Sequence, residues 1–102
     1  MMKTNEMKKI LLNKLHDENL THLKLKDLSI RKVTTDHYEI QIEDYTPYRM
    51  RLFEDEFKGE KEYTVMVVDK VFDSVVAFSE SKKDFRIEDA LIQLGYWIGE
   101  TL

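Results

Sequence analysis

The feature that most constrains this chain is where its hydrophobic period changes. Met7, Ile10, Leu11 and Leu15 recur at helical spacing, with Lys8, Lys9, Asn13 and His16 on the other side and Thr4 or Asn5 placed as a cap, so a first helix is expected over about Asn5 to His16. Past Asp17-Glu18-Asn19 the period falls to two. Leu28 and Ile30 alternate with Ser29 and Arg31, Tyr38, Ile40 and Ile42 with Glu39, Gln41 and Glu43, and Tyr48, Met50 and Leu52 with Arg49, Arg51 and Phe53. Thr34-Thr35-Asp36 joins the first two stretches as a hairpin, and Pro47 stands where a strand can begin. Tyr63 to Val68 is apolar at nearly every position, the pattern of a central strand covered on both faces. Val75 to Ser79 can return as a fifth strand, although Val71 to Phe78 also fits a helix. From about Arg86 the helical period resumes: Ile87, Ala90, Leu91, Leu94, Ile98 and Leu102 form one stripe, with Glu88 and Asp89 in the first turn, where the helix dipole favours acids.

Helical ends around an alternating middle predict an α+β two-layer sandwich. An antiparallel sheet of about four to five strands is expected to carry an N-terminal and a C-terminal helix on one face. The length of 102 residues suits one domain, 1–102, and three glycines and one proline provide no linker or low-complexity segment. A domain of this size buries roughly 60–65% of the surface its unfolded chain exposes, which leaves a small core and little room for a deep catalytic cavity.

Composition removes several function classes. With no cysteine there is no disulfide framework, thiolate nucleophile or cysteine-containing zinc site, and a reducing, cytoplasmic location is expected. The N-terminus lacks an unbroken apolar signal region, and no apolar run approaches the ~18–20 residues needed to span a bilayer. There is no Gly-rich phosphate loop, nucleophile elbow or calcium-loop pattern. His16, His22 and His37 lack the spacing of a metal site and read as surface residues. No cofactor and no catalytic residue are expected.

Charge is distributed unevenly. The net charge is −4, but residues 1–35 carry 8 basic and 4 acidic groups, while residues 36–62 carry 4 and 9. The acidic middle interleaves Glu43, Asp44, Glu54, Asp55 and Glu56 with Tyr45, Tyr48, Phe53 and Phe57. Such a stretch can dock on a basic protein groove, because carboxylates steer association and aromatic rings supply buried area. The other reading is a solvated hairpin loop and ordinary sheet core, which is what charge runs usually are. The basic lean of the first third carries no nucleic-acid-binding pattern, and a pI near 5.4 opposes phosphate binding, so direct nucleic-acid binding is not expected.

The last helix offers a second candidate. Ile92 and Tyr96 point away from its apolar stripe, Trp97 sits at the core edge, and Gly95 and Gly99 form a flat flank. Either the first helix packs on that flank, or Ile92, Tyr96 and Trp97 form a dimer or partner surface. A third pattern is Asp69 followed by Glu80-Ser81-Lys82, which resembles the metal-binding triplet of the restriction-endonuclease-like nucleases. That resemblance implies two carboxylates on Mg²⁺ and a lysine activating water, and covers only three positions.

The whole chain, small, lysine- and glutamate-rich and cysteine-free, also resembles in style the short accessory proteins of phages and mobile elements. That likeness implies a non-enzymatic protein-binding module, for instance an inhibitor of a nucleic-acid-processing enzyme acting through Glu43, Asp44, Tyr45, Tyr48, Glu54, Asp55, Glu56 and Phe57. The alternative is a homodimeric assembly protein using Ile92, Tyr96 and Trp97, with the metal-dependent nuclease as a third reading.

Overall fold

Helix α1 occupies Thr4–Asp17 in the computed structural model, which describes residues 2–79 and 85–102. Its apolar stripe Met7, Leu11 and Leu15 is fully buried. The helix ends on Asn19, whose positive φ of 70° lets the amides of Asn19 and Leu20 turn back onto the carbonyls of His16 and Leu15 at 3.0 and 2.9 Å. Asparagine tolerates this left-handed position, so four residues after Leu15, the last helical apolar side chain, the chain is redirected.

A short 3-10 turn at Leu25–Asp27 leads into the sheet, with Asp27 Oδ2 accepting from the Lys24 amide at 2.8 Å. Five strands follow: β1 (Leu28–Thr34), β2 (His37–Ile42), β3 (Tyr48–Phe57), β4 (Glu60–Asp69) and β5 (Ser74–Phe78). They form one antiparallel meander in the order β1-β2-β3-β4-β5. Two-residue loops close the tight hairpins. Between β3 and β4, Lys58 and Gly59 both have positive φ, 52° and 80°, the backbone hand that matches strand twist. Helix α2 (Ile87–Glu100) completes the chain, and Asp89 Oδ2 caps its start by accepting from the Arg86 amide at 2.9 Å.

Alternation decides which side of the sheet the helices cover. Leu28, Ile30, Tyr38, Ile40, Ile42, Met50, Leu52, Val65 and Val67 all face inward and join Ala90, Leu91, Leu94 and Ile98 of α2 in one core. Helix α1 lies over β1 and α2 over β4, with the helices packed on each other. They meet through the glycine flank: a Cβ built on Gly95 would stand 2.6 Å from Lys14 Cγ, and one on Gly99 would collide with Glu18 Cβ. Of the two expectations for that flank, close packing by α1 is the arrangement present.

Two expectations are refined. Val71 to Phe78 is neither one strand nor a helix: residues 71–73 turn, and β5 begins at Ser74. The apolar run in β4 is covered on one face only, because a meander with both helices on one side leaves its other face without a layer. Val65 and Val67 reach the core, while Met66 and Val68 point to the other face, where Met66 is half-buried and Val68 is buried by its neighbours.

Candidate protein-docking surface

The open face can be read row by row from the strand register. One transverse row holds Arg31, Glu39, Arg51, Met66 and Phe78. Arg49, Val68 and Val75 flank it on one side, and His37, Phe53 and Thr64 on the other. Three of the chain's four arginines, Arg31, Arg49 and Arg51, thus stand on this face. Arg31 Nη2 donates to Glu39 Oε2 at 3.3 Å, whereas Arg49 and Arg51 have no ion pair among the described residues. His37 stacks on Phe53 with ring centroids 4.8 Å apart and planes 8° from parallel. The face is therefore graded: charged over β1 and β2, apolar over β4 and β5.

The apolar end continues around the edge of the sheet. Asp69 Oδ1 accepts from the amides of Val71 at 2.8 Å and Phe72 at 3.4 Å, and Asp73 adopts φ 50°, so the β4–β5 turn is fixed by its own hydrogen bonds. This turn presents Val71 and Phe72 to solvent at 75% and 78% exposure. Val75, Val76 and Phe78 follow at 58%, 42% and 56%. A bulge, seen as the register shift between Val67 and Val68, breaks the alternation, and both valines of β5 are left exposed. From Ser74 to Ser79 there is no charge. The opposite edge, β1, carries Arg31 and Lys32, the usual protection against a strand adding to an unpaired ladder. Among the described residues β5 has its bulge and its short length of five residues but no charge.

The acidic and aromatic residues singled out in the sequence fall at two ends of the sheet. Strand residues advance about 3.3 Å each, so Tyr48 and Glu54 stand about 20 Å apart along β3. At one end Glu43 and Asp44 are exposed, Asp44 with φ 74° and 3.1 Å from His22 Nε2. Tyr45 and Tyr48 there are half-buried against the core, and burial, aided by the Asp44 charge, raises the Tyr45 hydroxyl above its ordinary pKa. At the other end Glu54 accepts from the Tyr63 hydroxyl at 2.8 Å and pairs with Lys61 Nζ at 3.4 Å. Burial first, and the bond to Glu54 second, hold the Tyr63 phenol far above its usual range. Pairing with β2 ends at Phe53 and with β5 at Met66, so residues 55–62 extend as a two-stranded arm. The arm carries Asp55, Glu56, Glu60 and Glu62 against Lys58 and Lys61; Phe57 enters it by its backbone pairing with Glu60.

On α2, Ile92 and Tyr96 are 44% and 48% exposed, while Trp97 is half-buried against the core. Ile92 borders a shallow groove with Ile10, Asn13, Lys14 and Asp17, and Lys14 Nζ lies 5.8 Å from the centre of the Tyr96 ring. Lys14 also pairs with Glu18 at 2.8 Å. That bond raises the lysine and lowers Glu18, while Glu100, sharing a hydrogen bond with Glu18, is raised. Ile92 and Tyr96, one helical turn apart, thus form with Ile10 a small apolar patch bordered by Asn13, Lys14 and Asp17.

The nuclease triplet is not assembled by described residues: Asp69 is occupied by the turn amides, and Glu80 and Lys82 lie outside the described residues. Among the described residues no group of three potential metal ligands occurs. Two histidines depart from the surface expectation, His16 being half-buried with Nε2 2.7 Å from the Leu23 carbonyl, and His37 through its stack. Sequence patterning missed the β5 surface, although its signals are present in the over-apolar β4 run and the uncharged Ser74–Ser79 segment. No described helix is long and apolar enough to cross a membrane. No protein-family model, curated protein or solved structure matches the chain.

Proposed function

We propose that this chain is a non-enzymatic protein-binding module anchored by β5 and the β4–β5 turn. One observation carries the reading: an edge strand that is uncharged over its length, with five large apolar side chains exposed in and beside it. An unprotected edge recruits strands indiscriminately, so its persistence is understandable if a specific protein covers it. Preorganisation favours the same reading. The Asp69 turn holds Phe72 outward in the unbound chain, so little ordering entropy remains to be lost when that ring is buried.

The acidic arm has a supporting role. Its carboxylates lie away from the apolar anchor and can steer a basic partner into contact, which affects association rate and salt dependence more than dissociation. The narrower expectation, inhibition of a nucleic-acid-processing enzyme, draws on two separate acidic groups: the arm at one end of the sheet, and Glu43 and Asp44 at the end that carries the β4–β5 turn, where the Lys70 amide donates to the Pro47 carbonyl at 3.0 Å.

The test is a comparative capture. A tagged chain is exposed to a lysate that also contains the untagged chain, and retained proteins are compared with those held by Val76→Lys and Phe72→Ser. Both substitutions fall on exposed side chains outside the core, so folding should persist. The reading expects a stoichiometric species that both variants lose. Equal retention by wild type and both variants would remove β5 as the docking surface.

A further inference from the structure

Resting on the β5 reading, we infer that the occupant of this surface is a second copy of the same chain, brought edge to edge across a two-fold axis beside β5. Area is the first argument. At about 150–200 Å² per fully exposed large apolar side chain, the exposures of Val71, Phe72, Val75, Val76 and Phe78 amount to roughly 500 Å² per copy. Two copies bring at most about 1,000 Å² of these side chains to the junction, and the unpaired β5 backbone contributes the rest of what a specific interface of that size needs.

Charge is the second argument. A two-fold contact sets each surface against itself, so a charge close to the axis would meet its own copy. Ser74 to Ser79 contains none, and that segment is therefore self-compatible. Asp73 stands in the turn between Phe72 and Ser74, at the border of the surface, and the acidic arm lies at the other end of the sheet. Antiparallel apposition of two β5 strands sends the two acidic arms to opposite ends of the pair, which separates the largest like charges.

The third argument is the gradient across the open face. On the face away from the helices Met66 is half-buried and Val68 already buried, so exposed apolar surface there increases toward the β5 edge. Their row neighbours at the edge are Phe78 and Val75. Joining two copies at β5 fuses the two apolar half-faces into one central strip, with Arg49 and Arg51 as a polar rim on either side.

The experiment is sedimentation equilibrium on the purified full chain, its Val76→Lys and Phe72→Ser variants, and Tyr96→Asp on α2, with circular dichroism to confirm folding. The wild type and Tyr96→Asp should sediment at twice the chain mass of 12.2 kDa, and both β5 variants at the chain mass. A dimer dissociated by Tyr96→Asp but not by the β5 variants would overturn the inference in favour of α2. A wild-type monomer throughout the concentration range would also overturn it. The capture comparison then separates the two failures: a foreign protein lost with Val76→Lys leaves β5 as a docking surface for another partner, and no difference removes both readings.

Discussion

At the scale of single residues, the helix layer depends on side chains that are absent. Adding a methyl to Gly95 and Gly99 gains about 1 kcal/mol of helix propensity at each. It also drives Cβ atoms into Lys14 and Glu18 near their backbone, where a side chain cannot simply swing away, at about 1–3 kcal/mol each. We therefore expect the Gly95→Ala/Gly99→Ala double variant to unfold at a lower temperature than wild type, as read by thermal melting. A higher midpoint would mean that α1 and α2 do not approach this closely. The nearby carboxylates give a pH-resolved companion. Glu18 is depressed by Lys14, so its contribution is present above its unfolded pKa and lost as pH falls through the folded value. Glu100 is raised by Glu18, so its contribution has the opposite sign: it is present at low pH and lost as pH rises through the folded value. Glu100→Gln should consequently raise the midpoint at neutral pH, with the gain shrinking as acid protonates Glu100 in the wild type. A gain independent of pH would contradict the pairing.

At the scale of elements, β3 and β4 are tied by more than their ladder. The Tyr63 hydroxyl bond to Glu54 sits where the acidic arm leaves the sheet, and Tyr63→Phe should cost about 1 kcal/mol in denaturant unfolding. An unchanged midpoint would show that the bond does not anchor the arm. Reversal of exposed Asp55 and Glu56 to lysine should leave stability within about 0.5 kcal/mol while weakening the salt dependence of any partner association. Strong helical and alternating periods made both helices and the first three strands legible in the sequence, because each period reports a face that must be buried; β4 was legible as an apolar run, and β5 stood open between strand and helix. The turn at residues 71–73 was ambiguous, since an apolar run looks alike in a helix and a strand. The candidate site was legible only in pieces. The acidic stretch is continuous in sequence, but β3 carries its two halves to opposite ends of the sheet. The β5 surface arises from a bulge and from which face the helices choose, and neither is written in local periodicity.

At the scale of the whole molecule, the meander leaves two unlike edges and one uncovered face. Charge closes the β1 edge, while the β5 edge and the apolar half of the open face adjoin each other. A single copy thus has a finished core on one side of its sheet and an unfinished boundary on the other. Pairing through β5 completes that boundary without changing the fold, and it leaves the acidic arms free to meet a further protein. The most direct measurement is amide hydrogen exchange of β5 at low and high protein concentration, with the β2 and β3 amides as internal reference. The account predicts that Val75 to Phe78 gain protection as concentration rises while the reference amides do not change. Exchange in β5 that is fast at every concentration, beside a protected β3, would contradict it.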